Sequence, residues 1–231
     1  MKYKSISFIV PAYNEEKTIR EALRKLIALD VNLEKEILVI DDGSKDKTAK
    51  IVREMARENI SVKLISHKQN AGKGAALRTG FDLASGDIVA IQDADLEYNV
   101  DDFKKLIKPI ASGKFKVVYG SRFLKKNQKG YGMFYFGNKF LSLLTSVIYF
   151  VKITDMETCY KVFDKSVAKS LKIESRGFGV EPEITAKVIR GKNKILELPI
   201  DYFPRTKNEG KKIRISDGIV AVWTLLRYRF S

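Results

Sequence analysis

The first half of the chain alternates short apolar runs with longer segments in which apolar residues recur every three or four positions. A short apolar run bounded by polar residues is typical of a buried strand, and the longer spacing is typical of a helix with one buried face. The predicted strands are residues 5–10, 36–40, 62–65, 88–91 and 117–119, and the predicted helices are residues 15–29, 46–55, 74–84 and 101–110. Strands and helices that alternate in this way predict an α/β fold with right-handed crossovers and a mostly parallel sheet.

Two segments of the second half are richer in apolar residues. In residues 131–151 the longest run without charge or glycine is residues 140–151, well short of the ~20 residues that cross a bilayer. Residues 213–230 place Trp223 and other apolar residues at helical spacing between basic residues. Each segment predicts either a helix that packs on the domain or an amphipathic helix on a membrane surface, and neither predicts a transmembrane helix.

The composition bounds the class of protein. A chain of 231 residues with 45% apolar residues forms one large domain or two small ones. Its single cysteine, Cys159, excludes an internal disulfide and a cysteine-rich zinc site, so we expect a reducing, cytoplasmic setting. The N-terminus runs directly into a predicted strand, and we therefore expect no signal peptide.

The charge is distributed unevenly along the chain. Residues 1–100 contain 16 Lys and Arg and 16 Asp and Glu residues, so their net charge is zero. Residues 101–231 contain the other 27 basic and 12 acidic residues and carry the whole net charge of +15. This asymmetry predicts a polyanionic partner for the second half, either nucleic acid, anionic lipid or a phosphorylated substrate; a solvated lysine-rich surface is the alternative.

Polar clusters follow three of the predicted strands. They are residues 11–15 (PAYNE), residues 41–44 (DDGS) and the triplet Asp93-Ala94-Asp95. Parallel α/β sheets bind ligands at the carboxyl ends of their strands, so these clusters predict a binding site at one sheet edge. The triplet places two carboxylates beside a buried strand, where a hard divalent cation that bridges to a phosphate would stabilise them. An Asx-type turn that closes the strand is the alternative interpretation of the triplet.

These motifs, with residues 70–74 (NAGKG) between the second and the third, occur in an order that resembles family 2 glycosyltransferases. Strings in the second half narrow the resemblance to the branch of dolichyl-phosphate mannose and glucose synthases. They are residues 120–122 (GSR), 155–163 (DMETCYKVF), 179–183 (GVEPE) and 205–213 (RTKNEGKKI). The resemblance covers nearly the whole chain and implies a GT-A fold, with a Rossmann-like, mostly parallel sheet flanked by helices, a nucleotide-sugar donor and inversion at the anomeric carbon.

The resemblance also implies roles for individual residues. The nucleotide-sugar site would comprise Pro11, Tyr13, Glu15, Ile40, Asp42, Lys73, Asp93, Ala94 and Asp95. Asp93 and Asp95 would hold Mg²⁺ or Mn²⁺ against the diphosphate, and Glu97 stands where the family often has a glutamine, as a third carboxylate. Residues 1–120 would bind the donor and residues 121–210 the acceptor within one catalytic domain, followed by a basic amphipathic helix at 211–231.

Carboxylates that hold a cation and a lysine that contacts phosphate both suit the expected chemistry. A diphosphate leaving group accumulates negative charge, which a divalent cation stabilises as a Lewis acid. Lys73, in a glycine-rich turn at a predicted helix start, resembles a phosphate cradle, with an ordinary capped helix start as the alternative.

In the branch that the chain resembles, positions matching Arg122, Arg205 and Lys211 contact donor or acceptor phosphates. The resemblance therefore predicts that these three residues bind the acceptor phosphate and, with Asp95, form the catalytic set. A phosphate acceptor is largely dianionic at neutral pH and needs cations rather than a general base. A hydroxyl acceptor would need a carboxylate base instead, and three carboxylates are available unless they only form salt bridges. They are Asp155, Glu157 and Glu181.

The sequence thus predicts a metal-dependent enzyme that transfers a hexose from a nucleotide sugar to a polyprenyl (dolichyl) phosphate. GDP-mannose is the first expected donor and UDP-glucose its rival, and the enzyme would lie peripherally on an anionic membrane surface at the cytosolic face. A soluble family 2 transferase with a hydroxyl acceptor is the second hypothesis. A nucleic-acid-binding module is the third, but the chain lacks recognition motifs for it and the acidic strand ends would stay unexplained, so we expect no nucleic acid partner.

Overall fold

The computed structural model describes residues 3–125, 132–204 and 215–230, with side chains described from residue 135 and from residue 218 in the second and third segments. The strands of these segments are β1 Ser5–Ala12, β2 Glu34–Asp41, β3 Val62–Ser66, β4 Ile88–Ile91, β5 Val117–Ser121, β6 Lys161–Asp164 and β7 Ile195–Pro199. The helices are α1 Ile19–Ala28, α2 Thr48–Glu58, α3 Lys73–Leu83, α4 Phe103–Ala111, α5 Gly132–Tyr149, α6 Lys165–Ser170, α7 Val180–Arg190 and α8 Ile215–Phe230. A single 3₁₀ turn, Val100–Asp102, precedes α4.

The seven described strands form one sheet in the order β3-β2-β1-β4-β6-β5-β7. Every pairing is parallel except those of β6, which runs antiparallel to both β4 and β5. The carboxyl ends of β1, β2, β4 and β5 therefore share one edge with the amino end of β6. Chain order reverses between β1 and β4, and this is the point at which open α/β sheets bind their ligands.

The two faces of the sheet carry separate apolar cores. Alternate residues of β1 show this, since Phe8 packs with α1 and α4 residues while Ile9 packs with α3 and α7 residues. Alternation follows from the two-residue period of a strand, and burial on both faces explains why the strands are apolar throughout. The fold is thus three layers, with helices on both sides of the sheet.

The predicted α/β class and mostly parallel sheet are confirmed. All five predicted strands and the first four predicted helices are present, with ends that move by up to four residues. Strands β6 and β7 were not predicted, and β6 separates β4 from β5. The two apolar segments of the second half form α5 and α8, and none of the described helices combines the length and hydropathy needed to cross a bilayer.

Two helical glycines provide a matched test of the packing between α3 and β1. A Cβ on Gly80 would lie 2.2 Å from Cγ2 of Ile9, a stiff β-branched side chain that is fully buried, whereas a Cβ on Gly137 of α5 would meet nothing within 4 Å. We expect Gly80→Ala to lower the free energy of unfolding by about 1–3 kcal/mol. Gly137→Ala should raise it by up to about 1 kcal/mol through helix propensity. Urea unfolding of both variants measures the difference, and equal effects would contradict the close approach of α3 to β1.

Candidate active site

Both carboxylates of the triplet lie at the carboxyl end of β4, in a tight turn. The backbone N–H of Glu97 donates to Oδ1 of Asp95 at 3.2 Å, so the Asx-type turn considered from the sequence is present. Leu96 adopts a φ of 60°, a conformation that is strained for a bulky residue. Strain of this kind persists only where the surroundings impose it, and it clusters at functional sites.

Lys73 joins this turn to two other elements. Its Nζ lies 2.9 Å from Oδ1 of Asp93 and 3.2 Å from Oε1 of Glu181, which belongs to the first turn of α7. Burial alone would lower the pKa of Lys73, but the carboxylates of Asp93 and Glu181 raise it well above its ordinary value. Burial likewise opposes ionisation of Asp93, yet Lys73 keeps the pKa of that carboxyl below its usual range. The pair is therefore charged at neutral pH.

The backbone of the glycine-rich turn does not match the phosphate cradle that its sequence resembles. The N–H groups of Gly74 and Ala75, at the start of α3, both donate to the carbonyl oxygen of Arg176, at 2.7 and 3.3 Å. A Cβ on Gly74 would lie 2.0 Å from the carbonyl oxygen of Ser175, so glycine is needed where this chain segment crosses. The start of α3 is thus capped by a backbone carbonyl. The turn contributes the charged side chain of Lys73 to the site.

A second lysine, which is fully buried, completes the carboxylate network. Lys161 begins β6, is fully buried, and its Nζ contacts Oε2 of Glu181 and the carbonyl oxygen of Thr158. Cys159 places its Sγ 3.2 Å from Nζ of Lys73, and burial together with Asp93 raises the pKa of the thiol well above its ordinary value. Cys159 is thus a neutral neighbour of the ion pairs.

Arg122 reaches the same edge from the end of β5. Its Nε and Nη2 donate to the two oxygens of the fully buried Asp155, each at 2.8 Å, and its backbone N–H donates to Oδ2 at 2.9 Å. Burial would lower the pKa of Arg122, but Asp155 raises it well above its ordinary value. The guanidinium also lies 5.1 Å from the ring centre of Tyr202. Asp155 has the salt-bridge role that the sequence left open.

Glu97 connects the triplet to Arg122 through an aromatic side chain. The hydroxyl of Tyr202 donates to Oε2 of Glu97 at 3.0 Å, and the backbone N–H of Phe203 donates to the Glu97 carbonyl at 2.7 Å. Among the residues that the structure describes, no group of three or more His, Cys, Asp or Glu side chains is arranged to hold a metal ion. The predicted role of Glu97 as a third ligand stays a prediction.

The predicted nucleotide residues lie at the ends of β1 and β2. Pro11 pairs in register with Ile40, whose side chain is fully buried in the core. Tyr13 and Glu15 follow β1 and are partly exposed. Asp42 accepts hydrogen bonds from the ring of His67 and from the backbone N–H groups of residues 71 and 72, at 2.7 to 3.1 Å. The structure thus gives Asp42 a loop-holding role, and contact of these residues with a nucleotide stays a prediction.

The remaining predicted residues divide into two groups. Ala94 is buried between the two carboxylates of the triplet. Arg205 and Lys211 lie outside the described residues, so their predicted contact with an acceptor phosphate stays a prediction.

Glu157 differs from the other carboxylates of the site. Its Oε1 is buried and has no hydrogen-bond partner, whereas Asp155 and Glu181 are both paired with cations. Burial, followed by repulsion from Glu181, raises the pKa of Glu157 to about 7. Sequence reasoning named Glu157 only as one of three available carboxylates, because the absence of a partner is a property of the folded chain.

The chemistry of the described side chains fits a divalent cation at the triplet. Carboxylate oxygens are the ligands that hard divalent cations prefer, and the ion pair with Lys73 keeps Asp93 ionised as such a ligand must be. Asp95 lies two residues further in the same turn and adds a second carboxylate. Asp93 is already paired with Lys73, so a cation would join an existing ion pair.

A mostly parallel α/β sheet that gathers carboxylates and cations at the carboxyl ends of its strands has its candidate ligand site at that edge. The comparison with protein families specifies the class. Residues 7–172 match Glycosyl transferase family 2, and the chain belongs to this family.

Relatives of known or inferred activity transfer different sugars. The chain is 32% identical to the dolichyl-phosphate beta-glucosyltransferase ALG5D of Trichomonas vaginalis, over 96% of this chain and 72% of the relative. It is 35% identical to the UDP-N-acetylglucosamine–dolichyl-phosphate N-acetylglucosaminyltransferase of Methanococcus voltae, over 87% of this chain and 86% of the relative. It is 30% identical to the dolichol-phosphate mannosyltransferase of Pyrococcus furiosus, over 89% of this chain and 58% of the relative. The resemblance to the dolichyl-phosphate branch is thus confirmed, and the sugar differs among its members.

Solved structures confirm the GT-A-like fold. Glucosyl-3-phosphoglycerate synthase from Mycobacterium tuberculosis, in complex with Mn²⁺, uridine diphosphate and glucosyl-3-phosphoglycerate, matches this chain with a TM-score of 0.76. The match covers 98% of this chain and 80% of that chain at 20% sequence identity. At this identity the likeness concerns the fold.

Glu157 makes the stability of the protein depend on pH in a predictable direction. Its pKa in the folded chain, about 7, exceeds the ordinary value of 4.5, so ionisation destabilises the fold. This cost is absent below about pH 4.5, grows as the pH rises, and is complete above about pH 7, where it amounts to roughly 3 kcal/mol at most. We expect Glu157→Gln to match the wild type in urea unfolding near pH 5 and to exceed it at pH 8. Glu58→Gln, at an exposed position, should differ from the wild type by the same free energy of unfolding at both pH values. Equal free energies of unfolding of the wild type and Glu157→Gln at pH 8 would contradict the raised pKa of Glu157.

Proposed function

We propose that this chain is an inverting transferase that moves a hexose from a nucleotide sugar to a polyprenyl phosphate, such as dolichyl phosphate. The observation that carries the proposal is the meeting of two charge systems at one sheet edge. Asp93 and Asp95 follow β4 and Lys73 reaches Asp93 from the start of α3, while Arg122 reaches the same edge from β5. In this proposal residues 1–120 bind the donor, residues 121–210 bind the acceptor, and residues 211–231 lie against the membrane.

On the donor side, the leaving group is a nucleoside diphosphate. Asp93 and Asp95, with Glu97 as a further candidate, would hold Mg²⁺ or Mn²⁺, which stabilises the charge that develops on the diphosphate. Lys73 holds the Asp93 carboxylate in place and adds positive charge next to it. Pro11, Tyr13, Glu15, Ile40 and Asp42 are proposed to form the nucleotide pocket at the neighbouring ends of β1 and β2.

On the acceptor side, a phosphate monoester serves as its own nucleophile. It is largely dianionic at neutral pH, so the protein must position it with cations. Asp155 fixes the plane of the Arg122 guanidinium through Nε and Nη2, which leaves Nη1 as a donor for the phosphate among the described contacts. Arg205 and Lys211 are proposed to complete the phosphate site.

The donor sugar is the open part of the proposal. GDP-mannose was expected from the sequence and UDP-glucose was its rival. Relatives of similar identity are named for glucosyl, mannosyl and N-acetylglucosaminyl transfer, so all three activated sugars belong in a donor screen.

An exposed apolar face supports a membrane-bound acceptor. Ten of the fifteen exposed large apolar side chains among the described residues lie on α5, on α8 or directly after α5. On α5 they follow helical spacing, and α8 presents a similar row that includes Trp223. The hydroxyl of Tyr149 donates to the carbonyl oxygen of Leu225 at 2.8 Å and joins the two helices. Arg227 lies over the ring of Trp223 and Arg229 over that of Phe150, as expected at an anionic lipid surface.

A transferase with a hydroxyl acceptor is the second candidate function. The observation that favours it is Glu157, whose pKa of about 7 suits a general base at neutral pH. A hydroxyl acceptor needs such a base, whereas a phosphate acceptor does not.

Transfer of a labelled hexose tests the lead proposal. With the correct donor, polyprenyl phosphate and Mg²⁺ or Mn²⁺, we expect label in an organic-extractable product, and a chelator should abolish it. Asp95→Asn should lower kcat/KM by about 10²–10³-fold, because it weakens the charge stabilisation of the leaving group. Asp101→Asn, at an exposed position six residues later, is the matched control. Label confined to water-soluble product, with equal activity without lipid, would reject the lipid acceptor; full activity of Asp95→Asn would reject its catalytic role.

Binding to vesicles tests the proposed membrane face. Phe140→Ser on α5 and Trp223→Ser on α8 should each weaken binding to anionic vesicles by roughly tenfold, because each removes a large side chain from the apolar interface. Ile60→Ser, which alters an exposed apolar residue between α2 and β3, should leave binding unchanged. Co-sedimentation with anionic and neutral vesicles measures the effect. Equal losses in all three variants would contradict the assignment of this face.

A further inference from the structure

Glu157 carries a buried oxygen that the protein itself leaves unpartnered. Two buried side-chain oxygens lack a hydrogen bond in the described segments, Oε1 of Glu157 and Oε1 of Glu181. Glu181 has the ammonium of Lys73 at 3.2 Å, so its charge is compensated. Buried polar groups are nearly always paired, and an exception in a native fold calls for an explanation, such as a functional role or a partner that the protein does not supply.

The backbone around Glu157 is fixed by hydrogen bonds. The backbone N–H groups of Thr154 and Asp155 donate to the carboxylate of Glu197 at 2.7 and 2.9 Å. The N–H of Met156 donates to the hydroxyl of Ser142 at 3.0 Å, and Tyr160 stacks on Tyr98. Glu157 therefore sits on a segment that is held on both sides, and its position is imposed by the fold.

Glu157 interacts electrostatically with both charge systems of the site. The charges that act on it are those of Glu181 and Lys161 and those of Arg122 and Asp155. Glu181 contacts Lys73, which pairs with Asp93 on the donor side. In the proposed function the hexose lies between the departing diphosphate and the incoming phosphate, and a carboxylate that interacts with the residues of both sides is a candidate to contact it.

The cations nearby already have their own anionic partners. Lys161 is paired with Glu181, and Arg122 with Asp155. Glu157 is thus not required as a counterion for either. A carboxylate oxygen in this position accepts hydrogen bonds, and the groups of a hexose that donate them are its hydroxyls.

We propose that Glu157 is a specificity-determining residue that accepts a hydrogen bond from one hydroxyl group of the transferred hexose. The proposal rests on the proposed function in that the donor is a nucleotide sugar, but it does not depend on the nature of the acceptor. A site built to bind a sugar hydroxyl rejects a donor that lacks or misplaces that hydroxyl, because the buried oxygen then stays unpaired.

Deoxy analogues of the donor test the proposal. The nucleotide sugar that the donor screen selects is compared with its analogues that lack one hydroxyl each, using wild type, Glu157→Ala and Glu157→Gln. We expect Glu157→Ala to lower kcat/KM for the parent donor by about 10- to 100-fold. For one deoxy analogue, the one without the partner hydroxyl, wild type and Glu157→Ala should agree within about threefold. Glu157→Gln keeps an acceptor oxygen, so its kcat/KM for the parent donor should lie between those of the wild type and Glu157→Ala.

Binding measurements without an acceptor separate this role from the others. Calorimetry should show that Glu157→Ala weakens binding of the nucleotide sugar and leaves binding of the nucleoside diphosphate alone unchanged. Glu58→Ala, on the exposed end of α2, is the control in every assay. An equal loss for the parent and every deoxy analogue would overturn the proposal. So would loss of transfer to a hydroxyl acceptor with unchanged donor binding, since that pattern belongs to a general base.

The outcomes also distinguish this proposal from the function on which it rests. If no nucleotide sugar binds to the wild type, the proposed function fails. If a nucleotide sugar binds but the acceptor is not a lipid phosphate, the comparison of deoxy donors still decides the role of Glu157. Circular dichroism of the three proteins checks that each is folded.

Discussion

The arrangement of this site depends on the ammonium group of Lys73. It holds a carboxylate from the end of β4 and another from the start of α7, two elements that are far apart in the sequence. Buried charges are stable only when they are paired, and removal of one partner from such a network costs about 3–5 kcal/mol. Lys161 contributes the second cation to Glu181, so the carboxylates are held by two lysines from α3 and β6. The positions of Asp93 and Glu181 follow from charge pairing rather than from apolar packing.

Much of the fold could be predicted because its strands are buried on both faces. Runs such as Ile88–Ile91 are continuously apolar, and no other local structure of that length accounts for them. Strand β6 was missed for the opposite reason. It begins with a lysine and ends with an aspartate, and only the tertiary structure supplies the partners that make Lys161 acceptable in a core. Because β6 is antiparallel to its neighbours, residues 155–161 lie at the sheet edge formed by the carboxyl ends of β4 and β5. A pattern of alternating strands and helices does not reveal this direction.

One part of the candidate site could be predicted, namely the residues whose position follows directly from the end of a single strand. The triplet at residues 93–95 ends β4, so the sequence alone places both carboxylates at the sheet edge. The glycine-rich turn could not be interpreted from its sequence, because glycine serves two purposes. It lets a phosphate approach the backbone closely, and it lets another segment of the chain do the same. Here the segment at Ser175 and Arg176 takes the space beside Gly74. The state of Glu157 was beyond sequence reasoning, since a missing partner is visible only when all neighbours are in place.

The apolar face and the active edge are connected through a short series of contacts. Glu183 of α7 accepts hydrogen bonds from the hydroxyl of Tyr228 on α8 and from the backbone N–H groups of residues 174 and 175. The next carbonyl in that segment, of Arg176, caps the start of α3, from which Lys73 extends to Asp93. The hydroxyl of Tyr228 thus joins α8 to the same carboxylate that holds residues 174 and 175. The exposed apolar face and the candidate site are parts of one packed unit, which is the arrangement that the proposed transfer to a membrane-bound acceptor requires.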